Sequence, residues 1–376
     1  MRLDLGTALL ALTWLGGWAL LLRTPRLAPA RPAGTVASLR VSVIVPARDE
    51  AATIGGLVAA LSHQTVAPAE VLVVDDHSRD GTAKLAASGG TATVLTAPPL
   101  PDGWTGKAWA CWHGASVATG DVLVFLDADT APGPELLERL LAELTAVSGL
   151  VSVAPYHRMR RPFERASAFF HVIAFMGIGA GSARPGAPVT GAFGPCLACR
   201  TRDYQAVGGH EAVRASVVDD VALARRFRAS QRSVRVVGGL DAVAYRLYPR
   251  GIRELVDGWS KNFAAGAAST PWLRFLLVMA WVIGCGTAAQ VPVRAGLSAL
   301  AGWSYPGVVG WLVYAAFSAQ LAVMLRPLGN YRGAALLFPL PLAVWFVVFA
   351  RSIAWTIRGH ATWKGRRVPV RPTLHP

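Results

Sequence analysis

The stretch VLVFLDADT, residues 122–130, places five apolar residues directly before an Asp-x-Asp motif. Four further short apolar runs have the same character, and helix-like segments separate them: VSVIV (41–45), VLVV (71–74), TVL (93–95) and LVSVA (150–154). Continuous apolar strands that alternate with helices predict a mostly parallel sheet covered on both faces. We therefore expect an α/β domain over residues 41–249.

Polar residues follow three of these strands at the point where each strand ends. They are Arg48 and Glu50 after the first strand, where Pro46 is a further candidate, Asp75 and Asp76 after the second, and Asp127 and Asp129 after the third. Each group alone could cap a helix or begin a turn. Because open parallel sheets bind ligands beyond the carboxyl ends of their strands, their convergence on one rim favours a binding site. So many carboxylates would repel an anionic ligand, so Asp-x-Asp predicts a hard metal ion holding phosphate oxygens.

The composition of the chain excludes several classes of protein. Of 376 residues, 53% are apolar and 16% charged, which is too apolar for an ordinary soluble enzyme and excludes disorder. Four cysteines do not make a disulfide scaffold. The net charge of +15 could favour binding to nucleic acid, to an anionic membrane or to a phosphate-bearing substrate. Since the arginines lie mainly beside apolar segments and no nucleic-acid-binding module is recognisable, we expect contact with anionic lipid and none with nucleic acid.

Apolar segments concentrate at the two ends of the chain. Residues 5–22 read LGTALLALTWLGGWALLL and have their arginines after the run, which predicts an uncleaved anchor rather than a signal peptide. Three further runs of about membrane-spanning length follow residue 270. The predicted organisation is a transmembrane anchor (1–22), a linker (23–40), the catalytic domain (41–249), an amphipathic interfacial segment (250–271), a transmembrane bundle (272–357) and a basic tail (358–376).

This organisation predicts a multi-pass protein of the cell membrane with a cytoplasmic catalytic domain. The three runs are Trp272 to Val291, Trp303 to Leu325 and Ala334 to Ile357. If all three cross the bilayer, the basic tail lies outside, against the positive-inside tendency. Either one run is re-entrant or interfacial, or residues 296–325 hold two short helices; we favour a cytosolic tail.

The motifs IVPARDEA, VVDDHSRDGT and FLDADT, in this order, resemble the nucleotide-sugar-binding half of an inverting family 2 glycosyltransferase with a GT-A fold. The resemblance covers roughly residues 41–263. It implies that Asp75 and Asp76 lie near the nucleoside, that Asp127 and Asp129 serve ribose and metal, and that Mg²⁺ or Mn²⁺ bridges the diphosphate. Such a metal would absorb the charge that develops on the departing oxygen.

Three more residues are candidates for the chemistry. Lys107 lies in GWTGKAWA (103–110). It is either exposed to solvent at the start of a helix or, as the resemblance favours, in contact with the nucleotide-sugar donor. Inversion needs a base for the acceptor's proton. Asp219 and Asp220 resemble the Glu-Asp pair of the family, with aspartate in place of glutamate at 219, so Asp220 matches the base. Without the resemblance, both acids would simply favour the positive end of a helix.

The acceptor side is expected in two segments. TGAFGPCLACRTRDY (190–204), with Gly191, is rich in small residues that permit close approach. Its Cys196 and Cys199 lack the further ligands that a zinc site needs. RGIRELVDGWSKNF (250–263) has an amphipathic pattern. Trp259, Lys261 and Asn262 stand there in place of the Gln-x-x-Arg-Trp motif of processive synthases, so a single transfer is expected.

The segments PDGWTGKAWACWHGA, GWSKN and TWKGRR, with apolar spans at both ends, most resemble the carotenoid and hopanoid branch of the family. That branch implies transfer of one hexose from a nucleotide sugar, such as UDP-glucose, to a lipophilic acceptor such as a carotenoid acid. Two alternatives stay open: transfer to polyprenyl phosphate, and a catalytically silent nucleotide-sugar-binding membrane scaffold. If the acceptor is already a carboxylate, Asp220 would orient it rather than deprotonate it.

Overall fold

A computed structural model describes residues 5–30, 39–184, 186–268, 270–301, 307–358, 360–363 and 366–369. For these residues the chain divides into two compact units. The sheet unit comprises Pro25–Arg158 and Val189–Leu247. The helical unit comprises Met1–Thr24, Met159–Pro188 and Tyr248–Pro372.

The sheet unit is built on seven strands in the order β3-β2-β1-β4-β8-β6-β9. The strands are β1 (Val41–Ala47), β2 (Glu70–Asp75), β3 (Thr93–Thr96), β4 (Val122–Leu126), β6 (Gly149–Ala154), β8 (Cys196–Arg200) and β9 (Ser233–Gly238). Strands β3, β2, β1 and β4 pair in parallel, β8 runs antiparallel to both β4 and β6, and β9 is parallel to β6. The predicted α/β fold with a mostly parallel sheet is confirmed.

Helices cover both faces of this sheet, which explains why its strands carry no polar alternation. They are α2 (Ile54–Ser62), α3 (Thr82–Ala87), α4 (Gly106–Val117), α5 (Leu136–Ala146), α7 (Thr201–Ala206) and α8 (Asp219–Ala229). Val43 and Val45 of β1 point into one buried apolar cluster, while Ile44 between them points into the other. A second sheet, β5-β10-β7, consists of β5 (Thr130–Pro132), β7 (Tyr156–His157) and β10 (Val243–Tyr245). Strand β5 begins directly after the Asp-x-Asp motif.

Part of the segment expected as a linker is bound to the sheet unit, and we call Pro25–Ala28 the strap. The carbonyl of Pro25 accepts from Gly238 N at 2.7 Å, beside β9. Arg139 of α5 donates through Nη2 to Leu27 O (2.9 Å) and through Nε to Ala28 O (2.8 Å). Leu27 is only 2% exposed and belongs to the apolar core. Burial of such a side chain contributes about 1.5–3 kcal/mol, so the strap is part of the folded unit. Residues 31–38 lie outside the described residues.

The helical unit contains α1 (Leu5–Leu20), α6 (Ala168–Ile178), α9 (Ile252–Ala268), α10 (Trp272–Ala301), α11 (Val308–Leu325) and α12 (Pro339–Arg358). Within the described residues, Trp272–Leu297 and Val308–Leu325 are long and apolar enough to cross a membrane, while Leu5–Leu20 and Pro339–Trp355 are shorter apolar helices. The expected run from Trp303 begins in residues 302–306, outside the described residues, as do residues 359, 364–365 and 370–376 of the tail. The described tail holds a hairpin of His360–Trp363 and Arg366–Pro369.

Polar side chains link the apolar helices to one another. Trp281 of α10 donates to Gln320 Oε1 of α11 at 2.8 Å, and Gln320 Nε2 donates to Trp14 O of α1 at 2.7 Å. Gly17 leaves room for this contact, because a Cβ there would come within 2.5 Å of the Trp281 ring. In an apolar environment such polar groups need internal partners, and this network supplies them.

Candidate active site

The first two strand ends bring an arginine and two aspartates together. Ala47 of β1 lies opposite Asp75 of β2, and Asp76 N donates to Ala47 O at 2.8 Å. Arg48 Nη1 then pairs with Asp76 Oδ2 at 3.1 Å. Asp75 is 7% exposed; its Oδ2 accepts from Ser78 N, while its Oδ1 is buried and meets no hydrogen-bond partner among the described residues. Because a buried, unpaired carboxylate oxygen is costly, this atom is suited to a ligand's N–H group.

The loops that carry these residues are tied together by Asp80, which the sequence analysis missed. Asp80 Oδ2 accepts from Ala51 N at 3.0 Å, and its Oδ1 accepts from Thr82 N at 3.1 Å. Burial acts to raise the pKa of Asp80, but the hydrogen bonds from Thr82 and from the backbone N–H of Ala51 outweigh it and lower the pKa. In the same loop pair, Glu50 N donates to Thr82 Oγ1 at 2.8 Å. The role of Asp80 could have been suspected from the sequence Asp-Gly-Thr, which is typical of a turn followed by the start of a helix.

The Asp-x-Asp motif lies in a turn at the end of β4. Asp127 N donates to Pro195 O (3.0 Å), and Thr130 donates to Asp127 O through N (3.0 Å) and Oγ1 (2.8 Å). Asp129 is half-buried. Burial, together with the nearby charges of Asp127 and Glu50, raises the pKa of Asp129 to about 7. The motif is thus a concentration of carboxylate charge that the positive charge of Lys107 offsets only in part.

The chemistry of these donors fits a divalent cation. Carboxylate oxygens are the ligands that Mg²⁺ and Mn²⁺ prefer, and a cation would relieve the repulsion that raises the pKa of Asp129. Within the described ranges, no group of three or more His, Cys, Asp and Glu residues is placed to hold a metal. A site of one or two carboxylates completed by substrate phosphates is typical of Mg²⁺, so Asp127 and Asp129 suffice for that kind of site.

Lys107 lies in the first turn of α4 and faces the motif. Thr105 caps this helix, its hydroxyl accepting from Ala108 N at 3.4 Å. Lys107 Nζ lies 2.6 Å from Asp127 Oδ1, and its side chain is 38% exposed. Burial acts to lower the pKa of Lys107, but the carboxylates of Asp127 and Asp219 outweigh it and raise the pKa. The lysine is therefore a fixed positive charge, free to reach an anionic ligand at its exposed side.

Asp220, in the first turn of α8, lies near Lys107. Its Oδ2 accepts from Gly194 N and its Oδ1 from Val221 N, both at 2.8 Å. A Cβ at Gly194 would lie 3.2 Å from Asp220 Oδ2 and 3.3 Å from Lys107 Nζ, so the glycine lies between acid and lysine. Burial, followed by the charge of Asp219, raises the pKa of Asp220 to about 6. A half-buried carboxylate with such a pKa is suited to accept a proton near neutral pH.

The donor, metal and base candidates all belong to the sheet unit, whereas the acceptor candidates are divided between the two units. Gly191 is buried in the sheet unit. Trp259 belongs to the helical unit, where its Nε1 donates to Ser167 Oγ at 3.1 Å and its ring stacks on Phe170 at 4.8 Å. Lys261 lies half-buried in the same helix, α9, and the side chain of Asn262 is outside the described residues. The acceptor role of these residues stays a prediction.

The Cys-x-x-C pair is structural. Cys196 packs into one apolar cluster and Cys199 into the other, on opposite faces of β8. Both thiols are free, and burial raises their pKa well above the usual range. Because their side chains point to opposite faces of a strand, they cannot bind one metal ion or form a disulfide with each other.

Comparison with known proteins identifies the family of the chain. The model of the family described as Glycosyl transferase family 2 matches residues 42–207. The chain is 31% identical over 338 residues to the 4,4'-diaponeurosporenoate glycosyltransferase of Staphylococcus aureus (strain MRSA252), covering 88% of each chain. It is 32% identical over 252 residues to the protein of the same name from Staphylococcus haemolyticus (strain JCSC1435), covering 66% of this chain and 67% of the relative.

A solved structure shares the fold. It is a mannosyltransferase from Pyrobaculum calidifontis in complex with GDP-Man and Mn²⁺, with a TM-score of 0.54, 20% identity, and coverage of 93% of this chain and 94% of that one. The family match and the named relatives, together with this fold, define the molecule as a glycosyltransferase. The chain belongs to glycosyl transferase family 2.

Proposed function

We propose that this glycosyltransferase moves a single glucose from UDP-glucose to the carboxyl group of a membrane-dissolved carotenoid acid. The observation that carries the proposal is the position of Lys107, which pairs with Asp127 at the end of β4 and lies beside Gly194 together with Asp220. The relatives that match most of the chain are named for a carotenoid acid, 4,4'-diaponeurosporenoate, which supports the acceptor class.

The donor is proposed to lie along the rim. The unpaired Oδ1 of Asp75 would accept an N–H of the nucleoside base, and Arg48 holds the neighbouring Asp76 in place. Asp127 and Asp129 would hold Mg²⁺ or Mn²⁺, and a cation there would supply positive charge to balance the diphosphate. Lys107 would contact a diphosphate oxygen from its exposed side, since its Nζ already lies 2.6 Å from Asp127. In a preorganised site, one such group is worth about 3 kcal/mol or more of the barrier.

The helical unit supports an acceptor dissolved in lipid. Large apolar side chains on its helices are exposed rather than buried, with Leu12 at 62%, Leu276 at 53%, Leu312 at 63% and Val347 at 65%. Many large, exposed side chains on apolar helices are typical of contact with a membrane or partner. A long, water-insoluble acceptor is available in the same medium, which explains why one chain holds both kinds of unit.

Asp220 is proposed to take the proton of the acceptor. A carboxylic acid at the boundary of an apolar phase has a raised pKa, because desolvation disfavours its charged form. Such an acid is largely neutral, and Asp220, with a pKa of about 6, can accept its proton. The acceptor oxygen then bonds to the anomeric carbon, the bond from that carbon to the diphosphate breaks, and the proton stays on Asp220. The product is a glucosyl ester with inverted configuration.

Labelled UDP-glucose and membranes that contain the protein test the proposal. With 4,4'-diaponeurosporenoate as acceptor, the carotenoid should gain label; label on added polyprenyl phosphate instead would overturn the acceptor assignment. EDTA should abolish transfer and excess Mn²⁺ should restore it. Asp220→Asn should lose activity near pH 6 and regain part of it at pH 9, where the acceptor ionises without help. Unchanged turnover in Asp129→Ala and Asp220→Ala would instead indicate a nucleotide-sugar-binding scaffold.

A further inference from the structure

Two buried aromatic residues, Tyr204 and His210, lie next to Asp219, the acid that precedes Asp220 in α8. Tyr204 and His210 are 2% and 1% exposed, and Tyr204 OH lies 2.9 Å from His210 Nδ1. On its other side, His210 Nε2 lies 3.9 Å from Asp219 Oδ2. The ring of Phe125 packs edge-on against His210 at 4.9 Å and confines its orientation. The three polar side chains therefore form a row that ends at the acid next to Asp220.

The backbone around His210 is shaped to make this row. Gly208 and Gly209 both have positive φ, +79° and +47°, and a Cβ at Gly209 would come within 2.4 Å of the Tyr204 ring. Only glycine fits such a turn without strain. As a result, Gly209 N reaches Tyr204 O at 2.9 Å, and His210 N donates to Tyr204 OH at 3.0 Å. The sequence analysis singled out none of these residues.

The hydrogen bonds select one form of the imidazole. Burial lowers the pKa of His210 to about 4, so its ring is neutral at neutral pH and carries a single proton. Tyr204 OH, which already accepts from the backbone, is positioned to donate its own proton to Nδ1. The ring proton then lies on Nε2, the nitrogen that faces the carboxylate of Asp219. A movement of about 1 Å would bring this pair to hydrogen-bond distance.

We infer that Tyr204 and His210 position Asp219, and through it Lys107 and Asp220, for glycosyl transfer. Asp219 is 9% exposed, and its charge acts on both Lys107 and Asp220. The Nε2–H of His210 faces this buried carboxylate across 3.9 Å, beyond hydrogen-bond distance but close enough for the N–H dipole to attract the charge. Asp219 thus acts as a fixed charge rather than as a second base. The inference rests on the proposed role of Asp220 and assigns to His210 a positioning role without contact to substrate.

Two substitutions at the same site separate positioning from packing. His210→Phe keeps an aromatic ring against Phe125 and removes the donor, whereas His210→Gln offers an amide N–H near the position of Nε2. With UDP-glucose and 4,4'-diaponeurosporenoate as substrates, we expect kcat to fall about tenfold in His210→Phe, equivalent to about 1.4 kcal/mol. The KM for UDP-glucose should stay within about twofold, and His210→Gln should recover kcat to within about threefold of wild type. His63→Phe, at an exposed histidine at the end of α2, should change neither constant.

A second measurement needs no substrate. In protein labelled with ¹⁵N-histidine, the resonances that vanish in His210→Gln should be those of a neutral imidazole protonated at Nε2. An Nδ1–H tautomer would overturn the inference, as would a His210→Gln variant no more active than His210→Phe. Loss of kcat in proportion to loss of folded protein would assign His210 to packing alone. Because the tautomer is read without donor or acceptor, failure of the proposed substrate assignment would not be confused with failure of this inference.

Discussion

The position of Gly194 between acid and lysine allows the geometry of the site to be tested with one methyl group. A Cβ at this residue would lie 3.2 Å from Asp220 Oδ2 and 3.3 Å from Lys107 Nζ. These contacts are a few tenths of an ångström too short for ordinary packing, so both side chains must move by about that distance. The hydrogen bond from Gly194 N to Asp220 can persist, because the substitution leaves the N–H in place.

The expected loss of rate follows from the size of this movement. A misplacement of about 1 Å costs about a hundredfold in rate, so about 0.3 Å corresponds to about 0.8 kcal/mol, or about fourfold. We expect Gly194→Ala to lower kcat about three- to tenfold, with little change in the KM for UDP-glucose. The assay is the rate of nucleoside diphosphate release at saturating donor, normalised to the folded fraction.

Two other glycines serve as matched controls. Gly55, in α2, has nothing within 4 Å of its would-be Cβ, so Gly55→Ala should keep full kcat and slightly raise the thermal midpoint. A Cβ at Gly114 would come within 2.6 Å of Ile44 Cγ2, so Gly114→Ala should lower the midpoint without changing kcat per folded molecule. Full kcat in Gly194→Ala, or the same loss per folded molecule in Gly114→Ala, would refute the geometric argument.

Three further predictions concern single carboxylates. Because burial and the neighbouring charges raise the pKa of Asp129 to about 7, Asp129→Asn should raise the thermal midpoint of metal-free protein at pH 8. Mn²⁺ should stabilise only the wild type, as differential scanning fluorimetry would show. Since Asp220 must be ionised to accept a proton, kcat should fall tenfold per pH unit below about 6; a flat acid limb that matches the profile of Asp220→Asn would contradict this. Asp75→Asn should weaken UDP binding about tenfold or more in calorimetry, with kcat at saturating donor nearly unchanged, because Asp75 Oδ1 awaits an N–H donor.

The strands and their polar ends could be predicted from the sequence because both are local signals. Runs of β-branched residues at 41–45 and 122–126 became β1 and β4, and the acids after them lie at adjacent strand ends. Pairing in space could not be predicted this way. Nothing in the spacing of Lys107 and Asp127 shows that their charged atoms lie 2.6 Å apart. That distance depends on how helix α4 packs on the sheet.

Other parts of the site were missed because their sequence signal is weak. Gly194 lies in a segment with several glycines and alanines, and the sequence does not show which of them borders the site. His210 follows two glycines, a common turn signal, and only the fold shows that the turn places its ring between Tyr204 and Asp219. For residues of this kind, contact with distant parts of the chain decides the role, and one sequence does not reveal such contacts.

The strap also sets the order in which the protein can mature during synthesis. Pro25 leaves the ribosome about 200 residues before Gly238, whose N–H it binds in the finished molecule. Arg139 and Glu143, which bind the adjacent residue Ala28, are themselves made more than 100 residues after it. The strap is therefore made well before its partners, and the nascent chain must keep residues 25–28 accessible until β9 has emerged.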